Sequence, residues 1–186
     1  MKAAVYYEET LTIGRRLGLK RAVVGGLEGL GKVAFDQGDY ARARAFYEEG
    51  LQVADELGQK SEFAISLAIN LAELAAEEGK FEEGRRLCIG SLRNSQEVGD
   101  KESVTATLSV FAWLCFAEGK AERTAQLLGA VERMRETLGI AFSPRQRARH
   151  KSRVDVIRGS LDQEVFAAAW ARGKVMTIDE AVAYAR

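Results

Sequence analysis

Proline is almost missing from this chain: Pro144 stands alone among 186 residues. Proline removes a backbone donor and breaks helices, so nothing before residue 144 forces an interruption, and a proline-rich extended architecture is excluded. Histidine is as scarce, with His150 alone, which removes the paired imidazoles of common zinc and proton-relay sites. Cys88 and Cys115 lie in unrelated apolar contexts and form no CxxC or metal-type spacing, so no disulfide framework or thiolate ligand set is expected. No apolar run approaches the roughly 18 residues of a membrane helix. After Lys2, Glu8 and Glu9 interrupt any signal-peptide core. Net charge is absent too, because 27 basic residues cancel 27 acidic ones, leaving no overall field to draw nucleic acid or lipid. A reduced, cytoplasmic setting is the expectation.

What is present is the composition of a folded domain, 47% hydrophobic and 29% charged, too apolar for disorder and too charged for a membrane protein. The charge is unevenly placed. Residues 1–100 carry 13 Lys/Arg against 17 Asp/Glu, so the rest of the chain is correspondingly basic, and residues 143–158 hold six Lys/Arg against one Asp.

Internal repetition organises the rest. Leu17-Gly18 returns as Leu57-Gly58, Val98-Gly99 and Leu138-Gly139, while "DQGDY", "EEGKF" and "AEGKA" place a second glycine series at Gly38, Gly79 and Gly119. Both series advance by 40 or 41 residues, a period typical of stacked supersecondary units. Each glycine follows an amphipathic run of about four turns, which marks it as a left-handed helix terminator. The unit is therefore helix, tight turn, helix, turn. Asp39 is placed to cap the helix after Gly38. In that helix Ala43, Phe46, Tyr47, Gly50, Leu51 and Ala54 recur at three- and four-residue steps, which predicts one buried stripe. Strand-like alternation is absent, so the fold class is all-α.

The segment "LGKVAFDQGDYARARAFYEEGL" at 30–51 resembles a tetratricopeptide repeat: Leu30-Gly31 matches the small-residue contact of the first helix, Gly38 the turn, Ala43 the packing point and Tyr47 the aromatic. The second unit keeps Leu71, Ala72, Gly79, Phe81, Gly84 and Leu92, and the third keeps Phe111, Ala112, Gly119 and Leu128. The period is longer than the usual ~34 residues, and glycine stands where that family ends its helices with proline. The resemblance implies a right-handed α-solenoid of helical hairpins, one domain over 1–186, with a half repeat at 3–18, repeats at 21–58, 60–99 and 101–139, and capping helices over 143–186. In the cap, Ser143-Pro144 reads as an N-cap and first helical residue. His150, Val154, Ile157 and Leu161 form a stripe, Phe166 and Trp170 lie four apart, and Thr177 with Glu180 forms a capping box. "LLGAVERMRETLG", "SP" and "FAAAWARGKVMTIDEAVAYAR" together resemble the C-terminal end of bacterial multidomain regulators of the LuxR and AfsR type. That implies a chain belonging to a larger protein, its first helix being the second half of a repeat.

Candidate sites are few. His150 has no recognisable nucleophile beside it and reads as a packing residue. The Glu-Glu pairs at 8–9, 48–49, 77–78 and 82–83 recur with the repeat and read as solvated faces and helix-end charges. No catalytic set, metal or cofactor is expected; the chain is read as a non-enzyme. Arg145, Arg149 and Arg153 share a helix face and form a candidate basic patch, although one helix offers only ~3 phosphate contacts, and nucleic acid is not the expected partner. In tetratricopeptide arrays the first helix of each hairpin lines a groove. By that resemblance the lining here is Glu28, Lys32, Phe35 and Asp36, then Ile69, Glu73 and Glu77, then Ser109, Trp113 and Phe116. Aromatics beside acids suit an apolar or basic peptide; the alternative is that Trp113 and Phe116 lie buried under the cap. The expected function is protein interaction and regulation, with a peptide, another protein or other domains of the parent protein as partner and no membrane. The alternative is a stand-alone peptide-binding adaptor that dimerises through the outer flank of helix 3–17.

Overall fold

The computed structural model describes residues 2–58, 61–142 and 144–185, apart from the side chains of Pro144 and Arg145. The expected cap at Ser143 lies outside the described residues. Among these residues there are ten helices and no strand: α1 (Lys2–Leu17), α2 (Lys20–Asp36), α3 (Tyr40–Asp55), α4 (Glu62–Glu77), α5 (Phe81–Val98), α6 (Lys101–Ala117), α7 (Ala121–Leu138), α8 (Pro144–Gly159), α9 (Gln163–Lys174) and α10 (Ile178–Ala185). The chain is all-helical. No described helix is long and apolar enough to cross a membrane.

Local chemistry sets the boundaries. All seven glycines of the two repeat series, and no described residue other than glycine, have positive φ, from 66° at Gly139 to 111° at Gly58. A side chain there would strain the backbone. Entry is set by short polar side chains that satisfy first-turn amides: Asp39 accepts from the Arg42 N–H, Ser61 from Ala64, Asp100 from Ser103 and Asp162 from Glu164. Thr177 and Glu180 form the reciprocal capping box, the Glu180 carboxylate accepting from the Thr177 N–H at 2.8 Å and the Thr177 hydroxyl from the Glu180 N–H at 3.2 Å.

The chain divides into two compact units, residues 1–98 and 99–186. In the first, each helix packs on its neighbour in the chain from α1 to α5, and α2 also touches α4. Its core joins Val24, Ala34, Ala43, Tyr47, Ala54, Leu67, Leu71 and Leu74. The crossing of α2 with α3 rests on a complementary pair: Tyr47 is 2% exposed, and a β-carbon at Gly31 would overlap its ring. One repeat later the corresponding residues, Ala72 and Cys88, are both fully buried. From one repeat to the next the first-helix residue grows from Gly to Ala while the second-helix residue shrinks from Tyr to Cys, in keeping with close packing of interiors.

In the second unit, α6 packs on α7 in the same hairpin manner, with Ala112 and Leu128 buried at the equivalent positions. The order then changes. It is α9 that packs most extensively along α7, while α8 touches α7 more narrowly and α10 touches both α6 and α7. The approach of α9 is as close as two backbones allow. A β-carbon at Gly129 would overlap the Trp170 carbonyl, and one at Gly173 would overlap the Gln126 carbonyl. Arg172 to Glu122 at 2.5 Å and Lys174 to Glu136 at 2.9 Å flank the contact.

Candidate functional site

In the first unit the expected lining residues fall on α2 and α4, and one carboxylate organises them. Glu28 is 14% exposed at its side chain. Its Oε1 accepts from Lys32 Nζ at 2.5 Å, from Ser66 Oγ at 2.6 Å and from Asn70 Nδ2 at 3.1 Å. Burial works against the charge of Glu28, but Lys32 and the donors on α4 outweigh it and hold the carboxyl below its ordinary value. A charged hydrogen bond in a half-buried place is worth more than an exposed ion pair, so this oxygen fixes the register of α4 on α2. Lys32 and the exposed Asp36 continue the α2 strip at four-residue steps, while Ile69, Glu73 and the exposed Glu77 continue α4. Phe35 stands at the inner edge, its ring 5.6 Å from that of Tyr40 and packed on the core. The strip is net acidic. Ser66 and Asn70 were missed from sequence; two polar residues four apart in the otherwise apolar stretch 63–72 were the available signal.

The paired glutamates behave in two ways. Glu8 and Glu9 are exposed, in keeping with solvated faces, whereas Glu78 and Glu83 are half-buried. They converge on Arg44 of α3, which donates to Glu78 at 2.5 Å and Glu83 at 2.8 Å and also reaches Glu48 at 3.2 Å. The Arg44 hydrogen bonds lower the Glu78 carboxyl below its usual range against the opposing effect of burial. This cluster ties α3 to the end of α4 and the start of α5. It is a structural junction.

The remaining candidates fall in the second unit. Ser109, Trp113 and Phe116 share a face of α6, where the two rings stack with centroids 5.3 Å apart. Arg153 of α8 lies over the Trp113 ring at 4.7 Å. Members of the expected groove and of the expected basic patch thus meet each other. Arg149 and Arg153 are half-buried, Arg147 and Lys151 are exposed, and the Arg145 side chain lies outside the described residues. His150 packs as expected: its ring is 4.9 Å from that of Phe142, and its Nε2 is 3.9 Å from a Glu132 carboxylate oxygen. Burial pushes its pKa down, and the Arg135 and Arg153 cations add to this, while Glu132 opposes them. Arg158 lies 5.0 Å from the Phe166 ring, which stacks on Trp170. Such arginine–aromatic contacts supply ~0.5–1 kcal/mol each where exposed.

Cys88 and Cys115 are buried thiols in separate units, and no described group of three or more His, Cys, Asp or Glu is arranged to hold a metal. No family model, no curated protein and no solved structure matches the chain.

Proposed function

We propose that the chain is a non-catalytic interaction module, a right-handed solenoid of long tetratricopeptide-type hairpins that binds a basic or amphipathic peptide on the α2–α4 strip. The observation that carries the reading is the Glu28 junction: it pins two successive first helices of the hairpins in register while Asp36 and Glu77 stay exposed beside it. The 40-residue double glycine series supports the repeat type. The likeness of the tail to LuxR- and AfsR-type regulators supports a place in the cytoplasm as the regulatory part of a larger bacterial protein, in which occupancy of the strip alters helix packing felt by other domains.

The test is fluorescence anisotropy with a labelled amphipathic peptide of lysine and leucine. Replacing Asp36, Glu73 and Glu77 together with Asn, Gln and Gln is expected to weaken binding ~10-fold, three charge contacts at ~0.5 kcal/mol each. Unchanged affinity in the triple variant would remove the strip from the account.

One observation favours a second reading, a homodimeric adaptor. On α1, Ala4, Tyr7 and Leu11 pack inward, while Val5, Tyr6, Ile13 and Leu17 on the opposite side are 53%, 66%, 45% and 59% exposed. Glu9 and Arg16 lie on that same side, so antiparallel pairing of two α1 helices would bring opposite charges together. Light scattering that finds a monomer at every accessible concentration eliminates this reading.

A further inference from the structure

The repeat places α1 in line with α3, α5 and α7, the second helices of the hairpins. Each of those three packs on the first helix before it, α2, α4 or α6. One stripe is covered each time. On α3 Ala43 is fully buried and Phe46 and Val53 are half-buried, while on α7 Thr124, Leu127 and Met134 are all buried. Leu87 of α5, the counterpart of Phe46, is half-buried as well. Counted back 40 residues from α3, the stripe on α1 is Ala3, Tyr6 and Ile13, and all three are exposed. They are not the residues that hold α1 to α2. That contact uses another face, with Tyr7 lying on Gly29 and Leu11 on Gly26. Thr10 also lies on the stripe, and its hydroxyl already donates to the Tyr6 carbonyl at 2.8 Å, so covering the stripe strands no polar group.

We infer that the Ala3–Tyr6–Ile13 stripe of α1 is a docking surface for a partner helix built like the first helices of the hairpins. A unit of a stacked array buries its apolar face only against a neighbour, and the chain itself shows the chemistry of the neighbour this stripe fits. Phe46 and Val53, the counterparts of Tyr6 and Ile13, rest on a cluster that contains Val23, Leu27 and Leu30 of α2, and Gly31 leaves room for the adjoining Tyr47 ring. In the same register α6 carries Val104, Leu108, Phe111 and Ala112. The partner therefore offers apolar side chains at i, i+4 and i+7 and a small residue at i+8, a helix laid along a helix. Val5 stands outside the stripe, since its counterparts Ala45 and Arg86 are exposed. The surface is thus narrower than the flank invoked for a homodimer. The inference shares the hairpin repeat with the proposed function but not the α2–α4 strip.

The probe is a labelled, amidated peptide with the sequence of residues 20–36, titrated into the intact chain and followed by anisotropy. Tyr6→Asp with Ile13→Asp is expected to weaken binding at least ~10-fold, as is Leu27→Asp in the peptide, whereas Val5→Asp in the protein should stay within ~2-fold. All three protein positions are exposed, so the fold is not at stake. Binding indifferent to the Tyr6 and Ile13 substitutions overturns the inference. So does a protein that dimerises through the stripe and excludes the peptide, which would return the homodimer instead. Where the free peptide does not bind, a chain with residues 20–40 repeated ahead of Met1, which keeps the 40-residue register, decides the matter. Its α1 amides are expected to gain at least ~10-fold protection from hydrogen exchange, and to lose it with Tyr6→Asp and Ile13→Asp. No gain, or a gain that survives those substitutions, overturns the inference. Failure here with the lysine–leucine peptide still bound would leave the proposed function standing.

Discussion

The two units use the same hairpin and finish it differently. In the first, every helix rests on the one before it, and polar ties such as Glu28 to Ser66 and Asn70 or Arg44 to Glu78 and Glu83 bridge neighbours in the chain. In the second, α9 makes the main contact along α7 and α8 a lesser one, with Arg153 on Trp113, Arg158 on Phe166 and His150 beside Phe142 and Glu132. Regular stacking needs each helix to carry an apolar stripe. Where a segment is as basic as α8, whose buried apolar residues are Val154 and Ile157, the main contact with α7 passes to α9.

The sharpest way to break the regular half is at Tyr47. Tyr47→Cys, which reproduces the Cys88 side of the second hairpin, is expected to cost ~3 kcal/mol through the cavity left over Gly31. Gly31→Ala alone overpacks the ring and costs ~1–3 kcal/mol. The double variant, equivalent to the natural Ala72–Cys88 pair, should cost at least ~1 kcal/mol less than the sum, measured by urea unfolding. Strict additivity would mean that the two residues do not share a contact.

The corresponding break in the second unit is Gly173→Ala. The overlap there is with a backbone carbonyl, which has no rotamer to give way, so a loss of ~3 kcal/mol is expected. Gly90→Ala on α5 is the control: nothing lies near its absent side chain, so ~0.5–1 kcal/mol of stabilisation should follow from helix propensity alone.

Acid distinguishes the halves more gently. Because His150 titrates lower folded than unfolded, the stability it preserves is complete above the ordinary imidazole value of about 6.5 and declines as pH falls through the folded value. Its facing groups are Glu132 and Arg135 on α7 and Arg153 on α8. Glu28 and Glu78 in the first unit are also lowered, so their contribution is lost only below about pH 4.3. Between pH 7 and 5 the second unit should therefore weaken while the first holds, by hydrogen exchange of α7–α8 against α2–α5 amides. His150→Gln should flatten that response; an equal decline in both halves would contradict the assignment.

Legibility followed the same division. The glycine pairs, the Asp39 cap, the Thr177–Glu180 box and the stripe of α3 were readable, because each depends on residues within a few positions of one another. Placement of α9 on α7 was not read, although Gly129 and Gly173 inside helices are a known sign of close backbone approach. The Glu28 junction escaped because its partners lie 38 and 42 residues away, and apolar periodicity carries no information about which polar side chains meet. The Arg153–Trp113 contact joined two candidate sites that had been read separately, since a basic run looks the same whether its arginines face water or a ring.

The most direct test of the account is hydrogen exchange on the intact chain with and without the lysine–leucine amphipathic peptide at saturating concentration. The account predicts new protection in α2 around residues 28–36 and in α4 around 66–77, and its loss in the Asp36, Glu73 and Glu77 variant. Absence of protection in those two helices, or protection that survives the substitutions, would contradict it.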